Sequence, residues 1–195
     1  MRVAQPPGDK GSLKWLQVSV ERRPDLLQPS TLGSRIDWLS PLRCDNWAEY
    51  RDASFLACLG LSHLADDLAE FWPRRGPQWD ALGRSGDKVI LVEAKSHLRE
   101  FLTPATQATN ASRSKIERAF RTVHQLEGIE PPSDWTRCFF QLANRIAHLS
   151  FFASARHRCA SNQRRFCRRC GDARARYTRG MERRGDDRFV RPRIG

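Results

Sequence analysis

No stretch of the sequence approaches the roughly 18 consecutive apolar residues of a membrane-spanning helix. The N-terminus also lacks the basic-then-apolar run of a secretory signal. A soluble cytoplasmic protein with no membrane partner is therefore the expectation. Neither a Gly-X4-Gly-Lys phosphate loop nor a Gly-X-Ser-X-Gly nucleophile elbow occurs, which leaves nucleotide hydrolysis and serine-esterase chemistry without support. There is no internal repeat. Cys44, Cys58 and Cys138 stand singly rather than in a disulfide framework, a pattern of reduced and mostly buried thiols. Lysine is missing from residues 151–195, where all 14 basic residues are arginine.

What is present fits one domain and a tail. A chain of 195 residues suffices for a single buried core. The net charge of +12 at first suggests a polyanionic partner. Residues 1–150, however, carry 20 Lys and Arg against 18 Asp and Glu, whereas residues 151–195 carry 14 against 4. The excess belongs to the tail.

Residues 1–11 are rich in Pro, Gly and polar groups and predict a loose N-terminus. Ser12 precedes a helical run through Leu13, Leu16 and Val20 that breaks near Pro24. After the linker at 29–34 and the segment Ile36-Asp37-Trp38-Leu39, Asp45 or Asn46 is placed to cap a helix. Its inner face would be Trp47, Tyr50, Phe55 and Leu59, with Gly60 at its end. A further helix runs from Ser62 through Leu64, Ala65, Leu68 and Trp72 to Pro73. The period then changes: residues 78–84, the turn residues Ser85-Gly86-Asp87 and the β-branched run Val89-Ile90-Leu91-Val92 predict a hairpin whose second strand is buried. Helices are expected over 112–127, with Ile116, Ala119, Phe120 and Val123 inward, and over 135–152, with Phe139, Leu142, Ala143, Ile146 and Leu149 inward. The six tryptophans, at 15, 38, 47, 72, 79 and 135, are spread as core residues are, rather than as a base-stacking platform.

Chemistry concentrates on the hairpin. Side chains alternate along a strand, so Glu93 and Lys95 project from one face, and Ala94 from the other. A turn at Ser85-Gly86 sets residue 80 opposite residue 91, making Asp80 a diagonal neighbour of Glu93 at roughly 7 to 8 Å. Two carboxylates held that close repel, and a divalent cation relieves the repulsion. A cation that polarises a phosphate and lowers the pKa of water, beside a positive group that orients the hydroxide, is the set phosphodiester hydrolysis needs. Glu-X-Lys alone is otherwise ordinary solvated surface.

Asp80 followed by Glu93-Ala94-Lys95 resembles the signature of the PD-(D/E)XK nuclease superfamily, an acidic residue in one strand and Glu-X-Lys at the end of the next. Pro77-Gln78-Trp79 precede Asp80, so the literal Pro-Asp pair is absent. The block from Glu70 to Asp80 is similar to a group of uncharacterised bacterial members, and the likeness spans about residues 12–150. The resemblance implies an α/β restriction-endonuclease-like core with a central mixed sheet flanked by helices. It also implies Mg2+ or Mn2+ held by Asp80, Glu93 and the Ala94 carbonyl, with Lys95 placing the water. Many members add an acidic residue from a preceding helix, for which Glu49 is the candidate. Some place a glutamine on a later helix, to which Gln141 is similar.

Alternatives stand beside these assignments. Glu49 also reads as a solvent-facing helix residue, and Gln141 as a partner for a buried backbone group. His97 shares the face of Glu93 and Lys95 if the strand continues, and so reads either as a phosphate or proton-transfer group or as a bystander. Arg74 and Arg75 read as phosphate contacts or as a solvated pair. His63, His124 and His148 show no ligand spacing.

The organisation is thus a loose 1–11, a nuclease-like domain over 12–152 and an Arg-rich tail over 153–195. In the tail, His157, Cys159, Cys167 and Cys170 offer four zinc donors, against the alternative of a disordered basic arm or a frameshifted translation. The expected function is metal-dependent hydrolysis of nucleic acid, DNA rather than RNA. The alternatives are a non-catalytic nucleic-acid-binding protein and an inactive remnant of the fold.

Overall fold

A computed structural model describes residues 1–155. The chain divides into two units, Met1–Phe151 and Phe152–Gly195. The tail motifs at 157–170 lie outside the described residues, as does the chain on which the arm, zinc and frameshift expectations rest.

The described fold is mixed α/β. Strands β1 (Arg2–Val3) and β3 (Glu49–Tyr50) form one antiparallel pair, and β2 (Asp37–Ser40), β4 (Ala81–Ser85) and β5 (Lys88–Val92) form an antiparallel sheet ordered β2-β4-β5. The expected mixed sheet is therefore antiparallel among the described residues. The helices are α1 (Gly11–Arg22), α2 (Ala53–Cys58), α3 (Ala65–Phe71), α4 (Asn110–Glu127) and α5 from residue 140 to the last described residue. No described helix is long and apolar enough to cross a membrane.

The N-terminus is tied down rather than loose. Arg2 and Val3 pair with Tyr50 and Glu49, and the Gln5 amide donates to the Asn46 carbonyl at 3.1 Å. The buried Gln17 on α1 accepts from the Gly8 amide and donates to the Pro6 carbonyl, at 2.8 and 3.1 Å. Leu16 and Val20, one turn apart, turn the buried face of α1 onto Ala81, Val92 and Ala94 of the hairpin.

The helix expected from Trp47 to Leu59 is instead a strand followed by a short helix. Asn46 and Trp47 both have positive φ, at 51° and 54°, which a right-handed helix does not accommodate. Glu49 and Tyr50 then find backbone partners in β1. A third positive φ, at Asp52, precedes α2, whose Phe55 and Leu56 are fully buried.

The hairpin forms where expected, but its register differs. Gly86, at φ 60°, and Asp87 make a two-residue turn between the paired Ser85 and Lys88, so Leu82 lies opposite Leu91 and Ala81 opposite Val92. The buried strand is β4, not β5: β4 is flanked on both sides, whereas Val89 to Val92 are half-buried. Gly83 allows β2 to come close, since a Cβ there would lie 2.8 Å from Ile36 Cγ2 and 3.1 Å from the Asp37 carbonyl oxygen.

Helix α4 buries the expected Ile116, Ala119, Phe120 and Val123 and ends at Gly128 in the left-handed region. The last helix starts later than the periodicity predicts. The Asp134 carboxylate accepts from both the amide and the hydroxyl of Thr136, making a local turn, and Phe139 has φ 55°, so helical geometry begins at 140. Its inward residues are Ala143, Ala147, His148 and Phe151, while Phe139, Leu142 and Leu149 are exposed. Small residues and an imidazole pack there because Phe55, Phe71, Trp72 and Trp79 already crowd that side, their centroids 5.0 to 6.3 Å from that of His148. The three described cysteines are free, as expected, but Cys44 and Cys138 are exposed and Cys58 is half-buried.

Candidate functional site

The hairpin and the strand that carries Glu49 bring Glu49, Asp80 and Glu93 into mutual electrostatic range. The register change matters here. Continuing the β4–β5 pairing by one step sets residue 80 opposite residue 93 rather than opposite 91. The regular ladder ends at Ala81–Val92, and beyond it the Asp80 amide donates to the Val92 carbonyl at 3.2 Å. The Asp80 side chain then bends back, its Oδ2 accepting from the Ala94 amide at 2.7 Å. Glu93, Ala94 and Lys95 thus lie just past the end of β5, held by backbone and side-chain bonds.

Asp80 is the perturbed group of the site. Burial, then the Glu93 charge and more weakly the Glu49 charge push its carboxyl up to about 7, against the Ala94 amide and the Arg145 charge, which pull it down. Glu49 is buried on β3 and accepts from Gln78 Nε2 at 2.6 Å and from Gln5 Nε2 at 3.1 Å. Burial raises its pKa more than the Gln78 hydrogen bond lowers it, and the Glu93 charge adds to the rise. The helix-borne Glu49 of the sequence reading is therefore strand-borne, and it faces the site rather than solvent. Glu49, Asp80 and Ala94 line one cavity of about 40 Å3 roofed by Ser12, Leu13 and Leu16 of α1. That volume is enough for a water or a small ion.

Glu93 is held by two cations. Its Oε1 accepts from Lys95 Nζ at 2.5 Å, which shows that Glu93 and Lys95 share a side as the alternation predicts. Its Oε2 accepts from Arg145 Nε at 2.9 Å and Nη2 at 2.5 Å. Arg145, on α5, is 8 % exposed, and every arm of its fork is used. Nη2 also donates to the Gln78 carbonyl at 2.9 Å, Nη1 donates to Asn144 Oδ1 at 2.7 Å, and the guanidinium carbon lies 4.8 Å from the centroid of the Trp79 ring.

Arg145 is the site residue that sequence reasoning missed. The helical spacing of Phe139, Leu142, Ile146 and Leu149 placed the inward face elsewhere, so periodicity gave no signal for Arg145. Arg145 lies one turn after Gln141, so both project from the same side of α5. Gln141 uses its own amide to donate to Thr103 Oγ1 at 3.1 Å, and its side chain bonds to none of the three carboxylates.

The remaining candidates lie apart from this centre. His97 is exposed past the strand end, where its amide donates to Glu100 Oε1 at 3.0 Å to start the 3-10 turn Leu98–Phe101. Arg74 and Arg75 are exposed, and Arg74 lines a separate, mostly apolar pocket of about 350 Å3 together with Phe55, Leu68, Trp72 and Pro77.

The donor set suits a hard divalent cation, being carboxylate and carbonyl oxygen. Among the described residues, however, no three His, Cys, Asp or Glu side chains are grouped closely enough to hold a metal ion. The reason is visible in the contacts: Glu49 and Asp80 line the shared cavity, whereas Glu93 is turned to Lys95 and Arg145. Lys95 and Arg145 both pair with Glu93, while Glu49 is held by the Gln78 and Gln5 amides. Comparison with known proteins gives no matching family model, no matching curated protein and no matching solved structure.

Proposed function

We propose that the chain is a metal-dependent nuclease that hydrolyses phosphodiester bonds of nucleic acid. The observation that carries this reading is the shared cavity of Glu49, Asp80 and Ala94, with Asp80 pushed up to about 7 beside Glu93 and Lys95. Buried carboxylates set against one another with no cation of their own are costly, and function is a reason for such a cost to persist. The reading joins that chemistry to the PD-(D/E)XK resemblance of Asp80 and Glu93-Ala94-Lys95.

In this proposal Asp80, Glu49 and the Ala94 carbonyl would hold Mg2+ or Mn2+, with Glu93 beside them. The bound cation supplies Lewis acidity toward the phosphate and acidifies water. Lys95, steadied by Glu93, orients the attacking water and offsets charge developing on the phosphate. Arg145 positions Glu93, and Gln78 positions Glu49.

The second reading, nucleic-acid binding without catalysis, is favoured by one observation: Arg145 and Lys95 already neutralise Glu93. The two separate cleanly in a cleavage assay on single- and double-stranded DNA and RNA with Mg2+ or Mn2+ or with chelator. The nuclease reading expects cleavage that chelator and Lys95→Ala each abolish. Salt-sensitive affinity that survives both treatments, with no cleavage under any condition, selects the binding reading.

A further inference from the structure

Trp15 departs from the other five tryptophans. It is 62 % exposed, whereas the others are buried or half-buried. The opposite face of its helix is core, with Leu16 and Val20 buried, so the indole itself is left open to solvent. It also stands in a particular place. Trp15 lines an open groove of about 210 Å3 with Leu27 as apolar floor and with Lys95, Ser12, Ser19 and Ser96 as polar margin. That groove adjoins the carboxylate cavity, since Ser12, Leu16 and Ala94 line both. No carboxylate lines the groove itself, and the Lys14 ammonium lies over the Trp15 ring, 5.3 Å from its centroid.

An exposed aromatic ring beside the Lys14 ammonium, in a groove margined by serine hydroxyls and Lys95 next to the candidate centre, suits one ligand chemistry: an unpaired nucleobase with its adjoining phosphates. A base stacks on an indole whatever its sequence, while lysines take the backbone charge. In a duplex the base faces are already stacked on one another and are not available to Trp15. We infer that the Trp15 groove is a binding site for single-stranded nucleic acid, with a base stacked on Trp15 and the neighbouring phosphate directed toward Lys95. The inference rests on the nuclease reading of the adjoining centre and names its substrate class: single strands, or duplex ends and junctions with an unpaired base. It revises the sequence expectation that all six tryptophans serve the core.

The test is equilibrium binding in chelator, so that no catalysis is required. Fluorescence anisotropy is read with a labelled single-stranded oligodeoxynucleotide, the same sequence as RNA, and its blunt DNA duplex, for the parent, Trp15→Ala and Trp15→Phe proteins. Trp15→Ala is expected to weaken binding of at least one of the two single strands about tenfold, with Trp15→Phe retaining most of the affinity. Duplex binding should change by less than about twofold. Matching thermal transitions exclude a folding defect, as the exposure of Trp15 leads one to expect. Single-strand affinities unchanged by Trp15→Ala, in a parent that binds, overturn this inference and leave the nuclease reading standing. A parent that binds neither single strand overturns this inference, and the cleavage assay with Mg2+ or Mn2+ separately decides the nuclease reading.

Discussion

Arg145 donates two hydrogen bonds to a single oxygen of Glu93 while bracing the Gln78 carbonyl and lying against Trp79, so one buried arginine joins α5 to both halves of the candidate site. Removing it strands the Glu93 charge with Lys95 alone. Arg145→Met is expected to lower stability by about 3 kcal/mol in chelator, measured by urea unfolding. Adding Glu93→Gln should recover much of that loss, because the orphaned charge then disappears. A double-mutant cycle with no coupling between the two positions would refute the arrangement.

Asp80 gives the site a signature in pH. Its folded pKa, about 7, lies above the unfolded carboxylate value. Between about pH 4 and 7 the folded state therefore holds a proton that the unfolded chain has released, and stability falls as pH rises through this window. Asp80→Asn keeps an acceptor for the Ala94 amide and removes the titration. It is expected to stabilise the metal-free protein at pH 8 by on the order of a few kcal/mol. That advantage should shrink as pH falls below 7 and vanish near pH 4. A variant no more stable than the parent at pH 8 would contradict the buried carboxylate cluster.

His148 acts in the opposite sense over a similar range. Burial holds its pKa down to about 4, below the unfolded value, while its hydrogen bond to the Asn144 carbonyl at 2.7 Å resists that drop. The unfolded chain takes up a proton below about pH 6.5 that the folded state refuses, so stability is lost as pH falls toward 4. In the parent this loss and the Asp80 gain offset one another. In the Asp80→Asn background the acid-side decline should steepen, and it should flatten again when His148→Gln is added.

Gly83 sets how closely β2 approaches the strand next to the site. A Cβ there meets Ile36 and the Asp37 carbonyl well inside contact distance. Gly83→Ala is expected to cost about 2 kcal/mol by overpacking, seen as a lower unfolding midpoint with an unchanged denaturant slope.

The order in which these elements occur is largely written in local pattern, and the site only partly so. Ile116, Ala119, Phe120 and Val123 recur at helical spacing and lie inward on α4, because packing and periodicity agree there. The hairpin is legible from Val89 to Val92 and its turn residues. Its register is not, because the turn falls on Gly86-Asp87 instead of Ser85-Gly86, and that shift alone moves the partner of residue 80 by two positions. Glu49 misleads because Trp47, Tyr50 and Phe55 imitate a helical stripe across a segment broken by three positive-φ residues. The faces of α5 misled as well, since its leucines point outward and an arginine and a histidine point inward. Both inversions answer partners distant in sequence: the Glu93 carboxylate for Arg145 and the aromatic cluster for His148.

The central claim, a divalent-cation site at Asp80, is tested most directly by calorimetric titration of the purified protein with Mn2+ at pH 7 in buffers of different ionisation enthalpy. The account predicts one Mn2+ per chain with partial release of the Asp80 proton, seen as a buffer-dependent heat. Asp80→Asn should weaken binding at least about tenfold and abolish the proton release. A parent that binds no Mn2+, or an Asp80→Asn protein that binds it as tightly and with the same proton release, would contradict the claim.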